Sequence, residues 1–327
     1  MSKKKNLSLL FFILILIFAA VCVGGVAFGS VNLSFARIID AINGADKTAE
    51  IIILGLRLPR LIGAALAGAA LATAGQLLQT VTNNDLCAPN IVGINSGAGL
   101  AVMLVLCLLP SFWRFIPAAA FIGAIFASGI VIAISSAAKE RRSALVLGGV
   151  ALSSLLSAGI SLLSLKYPDA LSSYAAFSSG GFAGVNAKEL TVPAVMIAAG
   201  LIIAFFISPK VSVLCLGDET ASALGVNVRR VRIITVIVSS GLCAATVSFA
   251  GLLGFVGLIV PHITRKLTGR GLRATLPFTA LCGSILVILS DLAGRTLFPP
   301  GEIPAGIIMS AIGAPFFIYL LIGRRKK

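Results

Sequence analysis

The sequence predicts an all-α, polytopic membrane protein of about ten transmembrane helices, with both termini in the cytoplasm. Three observations carry this reading. Hydrophobic residues make up 58% of the 327 and charged residues only 11%, against roughly 45–50% and 25% in soluble domains. The apolar residues gather into runs near the ~20 that a helix needs to cross a bilayer. Lys and Arg, which favour cytoplasmic loops, fall unevenly between the two sets of loops. Ten spans would use about 200 residues, which leaves little for a soluble domain, so residues 1–327 read as a single transmembrane domain.

The first run, residues 7–28, follows Lys3, Lys4 and Lys5. It exceeds the roughly 7–15 residues of a signal-peptide core and reads as an uncleaved span. Further spans are expected at about 58–80, 93–110, 117–138, 144–165, 191–208, 233–250, 251–264, 274–294 and 303–323. The eighth is the shortest and continues from the seventh through Gly251 and Gly254. Small residues at four-residue spacing, Ala64, Gly68 and Ala72 in one span and Gly306, Ser310 and Ala314 in another, are the pattern that lets helices approach closely in lipid.

With the N-terminus inside, the cytoplasmic segments 3–5, 139–142, 210–232, 265–273 and 324–327 hold 18 of the 26 Lys and Arg residues. The opposite face holds Arg37, Lys47, Arg57, Arg60, Arg114, Lys166, Lys188 and Arg295. The net charge of +15 is thereby a topological signal and does not call for nucleic acid. Nine spans would place the basic C-terminal tail outside.

Several chemistries are excluded. No Gly-x-x-x-x-Gly-Lys-Ser/Thr loop is present to cradle ATP phosphates, and no HExxH or GxSxG motif occurs. The six cysteines are scattered, with no metal-ligand spacing, and His262 is the only histidine, so neither a catalytic nor a metal site is assigned. Beside Pro261 and the basic cytoplasmic segment, His262 is given a structural role. The span centres are nearly free of the carboxylates that ion-coupled carriers often place at midplane. If the chain moves a solute, the energy enters from a partner.

Between the sixth and seventh spans, Ser208-Pro209 is expected to interrupt the helix. The following stretch, residues 216–226 (LGDETASALGV), reads as a short cytoplasmic helix, with Asp218 and Glu219 at its positive end and Gly225 as its stop. Leu216, Ala223 and Leu224 offer an apolar surface for a groove on another protein.

This segment resembles the coupling loop of the FecCD-type permeases, the membrane subunits of ATP-driven importers of iron-siderophore, haem and vitamin B12. Residues 57–60 (RLPR) with 63–76 (GAALAGAALATAGQ), 254–265 (GFVGLIVPHITR), 291–295 (DLAGR), 302–306 (EIPAG) and 313–316 (GAPF) resemble the family's pattern in order, over nearly the whole chain. The resemblance implies one permease domain whose loop at about 209–232 couples to cytoplasmic ATP-binding subunits through Leu216, Gly217, Asp218, Glu219, Ala221, Ala223, Leu224 and Gly225. It implies that ATP and Mg are bound by that partner and no cofactor by this chain. It further implies a second permease subunit, the same or a sister chain, and an extracytoplasmic solute-binding protein that docks on Arg57, Arg60 and Arg295.

The connector 83–93 (NNDLCAPNIVG) resembles the family's gate loop, with Asn84, Leu86 and, in the next cytoplasmic loop, Ser143 as gate residues. It departs from the usual Asn-Pro-Leu-Ala by carrying Asp85 and Cys87, and losing proline removes a fixed backbone torsion. The Gly-rich segment 178–184 (SSGGFAG) resembles the family's outer mouth. The expected function is a cell-membrane permease for an iron-siderophore or related metal chelate. Haem or cobalamin uptake is the alternative within this class, and an ion-coupled carrier or channel is the alternative outside it.

Overall fold

The computed structural model describes residues 7–29, 34–90, 93–138, 141–269, 271–298 and 301–323. The basic residues at 3–5, 139, 270 and 324–327 lie outside that set. Among the described residues the regular structure is helical. In chain order the elements are α1 (Leu7–Ala27), α2 (Phe35–Ile42), α3 (Lys47–Glu50), a π-helical segment (Ile51–Arg57), α4 (Leu58–Thr82), α5 (Ile94–Leu108), α6 (Ile116–Ala137), α7 (Arg141–Lys166), α8 (Ala170–Ser179), α9 (Ala187–Val213), α10 (Asp218–Ala223), α11 (Val228–Ala250), α12 (Val256–Thr268), α13 (Leu272–Thr296) and α14 (Ala305–Gly323).

Each of the ten expected segments contains a helix, but they are not ten equal spans. By length and composition, 7 described helices can cross a membrane, whereas Ile94–Leu108 and Ala305–Leu320 are shorter apolar helices. The eighth segment departs most from expectation. Residues 251–255 are not helical, Phe255 sits at φ 64, and α12 has only 13 residues, about 20 Å at 1.5 Å per residue against a hydrocarbon core of about 30 Å. The second span, by contrast, forms part of a longer run of helix beginning at Lys47. Pro59 has no N–H to donate, and the π-helical turn absorbs the mismatch, with the Leu58 amide bonding back to the Ile53 carbonyl.

Two further differences are local. Helix α9 continues through Pro209 to Val213, so Ser208-Pro209 does not end it. The Ser208 hydroxyl donates to the Phe205 carbonyl at 2.7 Å and Ser212 to the Ser208 carbonyl at 2.9 Å, satisfying backbone that the proline disturbs. Helix α8 was not expected, because its Ser- and Ala-rich sequence (ALSSYAAFSS) carries no long apolar run.

Helix α4 is the axis of the molecule, and Ala67 through Thr82 are all buried. It packs against α9, α11, α12 and α13 at van der Waals contact of backbones. A Cβ on Gly68 would lie 2.2 Å from the Gly283 carbonyl oxygen of α13, and one on Gly75 would lie 1.9 Å from that of Gly257 in α12. The Ala64, Gly68, Ala72 stripe is therefore a packing face. The second stripe is only partly one: Gly306 abuts the Ser179 carbonyl, but Ser310 and Ala314 are exposed. Helix α1 is largely exposed and apolar on all sides, with Leu9, Phe12 and Leu16 uncovered, as befits a helix bathed in lipid.

Candidate functional site: two charged ends of the bundle

The charge bias names the ends of the bundle: Arg57, Arg60 and Arg295 mark the outer end, and the connectors after α4 and α9 mark the inner end. At the outer end the three arginines come together, although Arg295 is far along the chain from the neighbouring Arg57 and Arg60. Arg60 at the start of α4 grips Asp291 of α13 with Nε 3.0 Å from both carboxylate oxygens and Nη2 2.9 Å from Oδ1. Its Nη1 lies 2.7 Å from Glu302 Oε2. Arg295 places Nε 3.2 Å from Asp291 Oδ2. One carboxylate thus serves two guanidinium groups.

Arg57 and Arg295 turn inward onto the end of α1. Arg57 Nη1 donates to the Val26 and Ala27 carbonyls, the latter at 3.0 Å, and Arg295 Nη2 to the Gly25 carbonyl at 3.3 Å. The last carbonyls of a helix lack intrahelical partners and carry the negative end of its dipole, so the two arginines cap α1. The three arginines therefore differ in exposure. Arg57 is 6% and Arg295 5% exposed, and only the Arg60–Glu302 pair, with side chains 14% and 33% exposed, reaches the rim. Above them opens a cavity of about 510 Å³ lined by all three arginines, Glu302, Phe182 and Asn186.

At the inner end, α10 is a separate short helix as expected. It closes with the Gly225 amide bonded to the Ser222 carbonyl and the Val226 amide to the Ala221 carbonyl. That two-bond closure needs a left-handed residue, and Gly225, at φ 78, supplies it. Asp218 faces back into the chain, its two oxygens 3.0 and 2.9 Å from Nη2 of Arg232 in α11. Leu216, Glu219, Ala223 and Leu224 are exposed, while Ala221 is buried. The exposed leucines leave an apolar surface on a segment tied to α11 by the Asp218–Arg232 pair.

The connector after α4 is built from turn chemistry. Asn83 adopts the left-handed conformation, and the Asn84 amide bonds to the Gln79 carbonyl, closing α4. The Asn84 side chain accepts from the Leu86 amide at 3.0 Å. Asp85, the departure from the usual proline, lies 2.9 Å from Arg265 of α12, whose guanidinium also donates to Gln79. An ion pair thus stands where the fixed torsion is missing. Cys87 is buried, and burial pushes its thiol up to about 11, so it stays protonated at neutral pH. Leu86 is half-buried, and Ser143 is exposed on the first turn of α7. His262 packs edge-on against Phe316 at 6.2 Å.

Sequence reasoning missed the partners more than the residues. Arg60 and Asp291 are 231 positions apart and Gln79 and Arg265 are 186 apart, and no spacing rule links them. Arg232 could have been singled out as an arginine followed at once by an apolar helix.

The FecCD transport family model matches residues 12–323. The chain is 37% identical over 326 residues to the Fe(3+)-citrate import system permease YfmE of Bacillus subtilis, covering 99% of this chain and 98% of that one. It is 34% identical over 325 residues to the haem-iron transport system permease IsdF of Staphylococcus aureus, with 97% of each chain covered. A solved metal-chelate type ABC transporter, in an inward-facing conformation, superposes with a TM-score of 0.84 at 31% identity, covering 96% of this chain and 99% of that one. A match of this extent, on a fold whose membrane helices and charged ends are now described, makes the chain a transport subunit rather than an enzyme, with ATP handled by separate subunits; it is a multi-pass membrane permease and belongs to the FecCD transport family.

Proposed function

We propose that this chain forms the translocation pathway of an ATP-driven importer for a ferric chelate. The family match across residues 12–323 carries the reading, and the relatives named for Fe(3+)-citrate and haem-iron import supply the substrate class. In this reading two permease chains pair in the membrane. Cytoplasmic ATP-binding subunits dock on Leu216, Gly217, Asp218, Glu219, Ala221, Ala223, Leu224 and Gly225. The exposed leucines supply the contact, and the Asp218–Arg232 pair carries its motion into α11.

An extracytoplasmic binding protein docks over Arg57, Arg60 and Arg295. Arg60 meets it at the rim, while the two buried arginines contribute field, which raises encounter rate and sets register more than it adds affinity. Asn84, Leu86 and Ser143 line the inner gate, and the Asp85–Arg265 pair holds the gate loop. Reconstitution with the ATP-binding subunits tests the whole: radioiron chelate should accumulate in vesicles only with ATP and binding protein. Accumulation without an ATPase would overturn it. Docking is tested separately by reversing Arg60 to Glu, and unchanged association at low salt would remove that assignment.

A further inference from the structure

The connector between α5 and α6 is not composed like a loop built for water. Residues 86–138, from the inner connector through both helices, contain one charged residue, Arg114. Within residues 109–115 (LPSFWRF), Leu109, Phe112, Trp113 and Phe115 are each exposed over half or more of their surface. The apolar surface continues on either side, with Leu108 exposed at the end of α5 and Phe126 exposed along α6, a helix long and apolar enough to cross a membrane. Ile116 and Pro117, at the start of α6, line a cavity together with Arg60, which puts this end of the hairpin at the outer end of the bundle.

Length places the connector at the membrane. Helix α5 has 15 residues, about 22 Å at 1.5 Å per residue, against a hydrocarbon core of about 30 Å. Helix α6, packed beside it, has 22 residues, about 33 Å, and crosses by itself. The connector before α5 is drawn into the bundle, with Cys87, Ala88 and Pro89 buried. The end of α5 that meets lipid is therefore the outer one, and residues 109–115 span what α5 leaves uncrossed. Their backbone suits that depth, where unpaired amides are costly. Pro110–Phe115 forms a 3-10 turn, and the amides of Leu109, Phe112 and Ile116 bond to the carbonyls of Val105, Leu109 and Trp113. Pro110 and Pro117 have no N–H to leave unpaired. The Arg114 guanidinium lies 5.5 Å from the centre of the Trp113 ring, a cation–π pair with an apolar body and a charged tip.

We propose that residues 109–115 are an interfacial anchor of the α5–α6 hairpin. Leu109, Phe112, Trp113 and Phe115 sit among the uppermost acyl carbons of the outer leaflet, and Arg114 extends to its phosphate groups. The partner is a phospholipid surface. Tryptophan concentrates at this level of a bilayer, where its ring is apolar and its N–H reaches water. A protein partner would have to cover a patch that runs on into the exposed face of a membrane helix. The anchor fixes the depth of α5, whose inner end follows directly on the connector 83–93.

Trp113 is the only tryptophan in the chain, so its fluorescence reports this depth directly. The test uses the full chain in phosphatidylcholine vesicles. Its quenchers are phospholipids brominated either just below the headgroup or near the bilayer centre, and iodide equilibrated across the membrane. Trp113 should emit to the blue of tryptophan in water. The shallow bromines should quench it at least several-fold more than iodide, and more than the central bromines. Phe112→Ser combined with Phe115→Ser replaces two exposed side chains, so the fold is kept, and it should move the quenching of Trp113 from the shallow bromines towards iodide.

Stronger quenching by iodide than by lipid would place the connector in water and overturn the proposal. Protection from both quenchers would put a protein chain on the patch and overturn it as well, as would strongest quenching from the bilayer centre. Unchanged quenching in the double variant would also overturn it, because the depth would then be set by the helices alone.

Discussion

The two ends of the bundle handle arginine differently. At the inner end each buried or half-buried arginine has a carboxylate of its own: Arg232 has Asp218, and Arg265 has Asp85. At the outer end three arginines share two carboxylates and the carbonyls of α1. The inner pairs fix a loop, and beside them the exposed Leu216 and Leu224 leave apolar surface. A shared cluster instead ties α4 to α13 through Asp291 and both to the end of α1 through the arginine donors. The contrast separates a loop fixed by a single pair from a cluster that clamps three helices together.

Helix α4 joins the two ends, with Arg60 near its start and Asn84 just past its finish. The largest effect is therefore expected where α4 is welded to α12. Gly75→Leu would drive a side chain into the Gly257 backbone, which cannot yield. A loss of about 3 kcal/mol or more is expected, seen as absent folded protein in detergent size-exclusion chromatography. Normal yield and thermal stability would show that α4 and α12 can separate, and that the ends are mechanically independent.

Removing one carboxylate from each end sharpens the comparison. Asp291→Asn leaves Arg60 and Arg295 buried with a neutral acceptor in place of a carboxylate and should cost about 2–3 kcal/mol. Asp218→Asn acts on a side chain that is 46% exposed, where water can replace the lost acceptor, and should cost about 1 kcal/mol. Thermal unfolding of the two variants in one detergent decides. Equal losses would mean that the outer cluster is no more demanding than an ordinary ion pair.

The third expectation touches function without stability. Leu224→Asp replaces a side chain that is 62% exposed, so the fold should change by no more than about 0.5 kcal/mol. Transport coupled to ATP should nevertheless fall at least several-fold, because a charge replaces the apolar contact. Unimpaired uptake by reconstituted vesicles would move the coupling contact elsewhere in the 209–232 loop.

The fold was legible where hydropathy dictates it. Long apolar runs such as α1, α6 and α9 have no stable alternative in lipid, and their segments appeared in sequence. The break at 251–255 was not legible. Its backbone is set by neighbours, with the Gly181 amide on the Ala250 carbonyl and the Leu252 amide on the Phe177 carbonyl, and local residue preferences do not encode such distant partners. Helix α8 went unseen because short Ser- and Ala-rich helices gain their stability from packing. The arginines at the outer end were identified, and the four-residue spacing sets Asp291 beside Arg295 on one helix face, but whether Arg57 and Arg60 face out or in depends on where α13, Glu302 and the end of α1 stand. No local pattern contains that information.

The smallest expected effect lies beside the outer cluster and tests whether its surroundings depend on charge in the same way. Asp46 caps α3 by accepting from the Ala49 amide at 2.9 Å and pairs with Arg37 at 2.9 Å. The Ala49 amide first, and then the Arg37 guanidinium, hold its carboxyl below the usual range. A carboxylate whose pKa is depressed on folding adds stability that is complete above the unfolded value, near 3.9, and is lost as pH falls through the folded one. Amide exchange around 46–50 should therefore speed up below about pH 4, and Asp46→Asn should flatten that dependence. The end of α1, capped by Arg57 and Arg295, should keep its protection over the same interval, since these donors keep their charge at any such pH. Protection lost together at 46–50 and at the end of α1 would instead show that the α2–α3 cap and the arginine cap of α1 open as one unit.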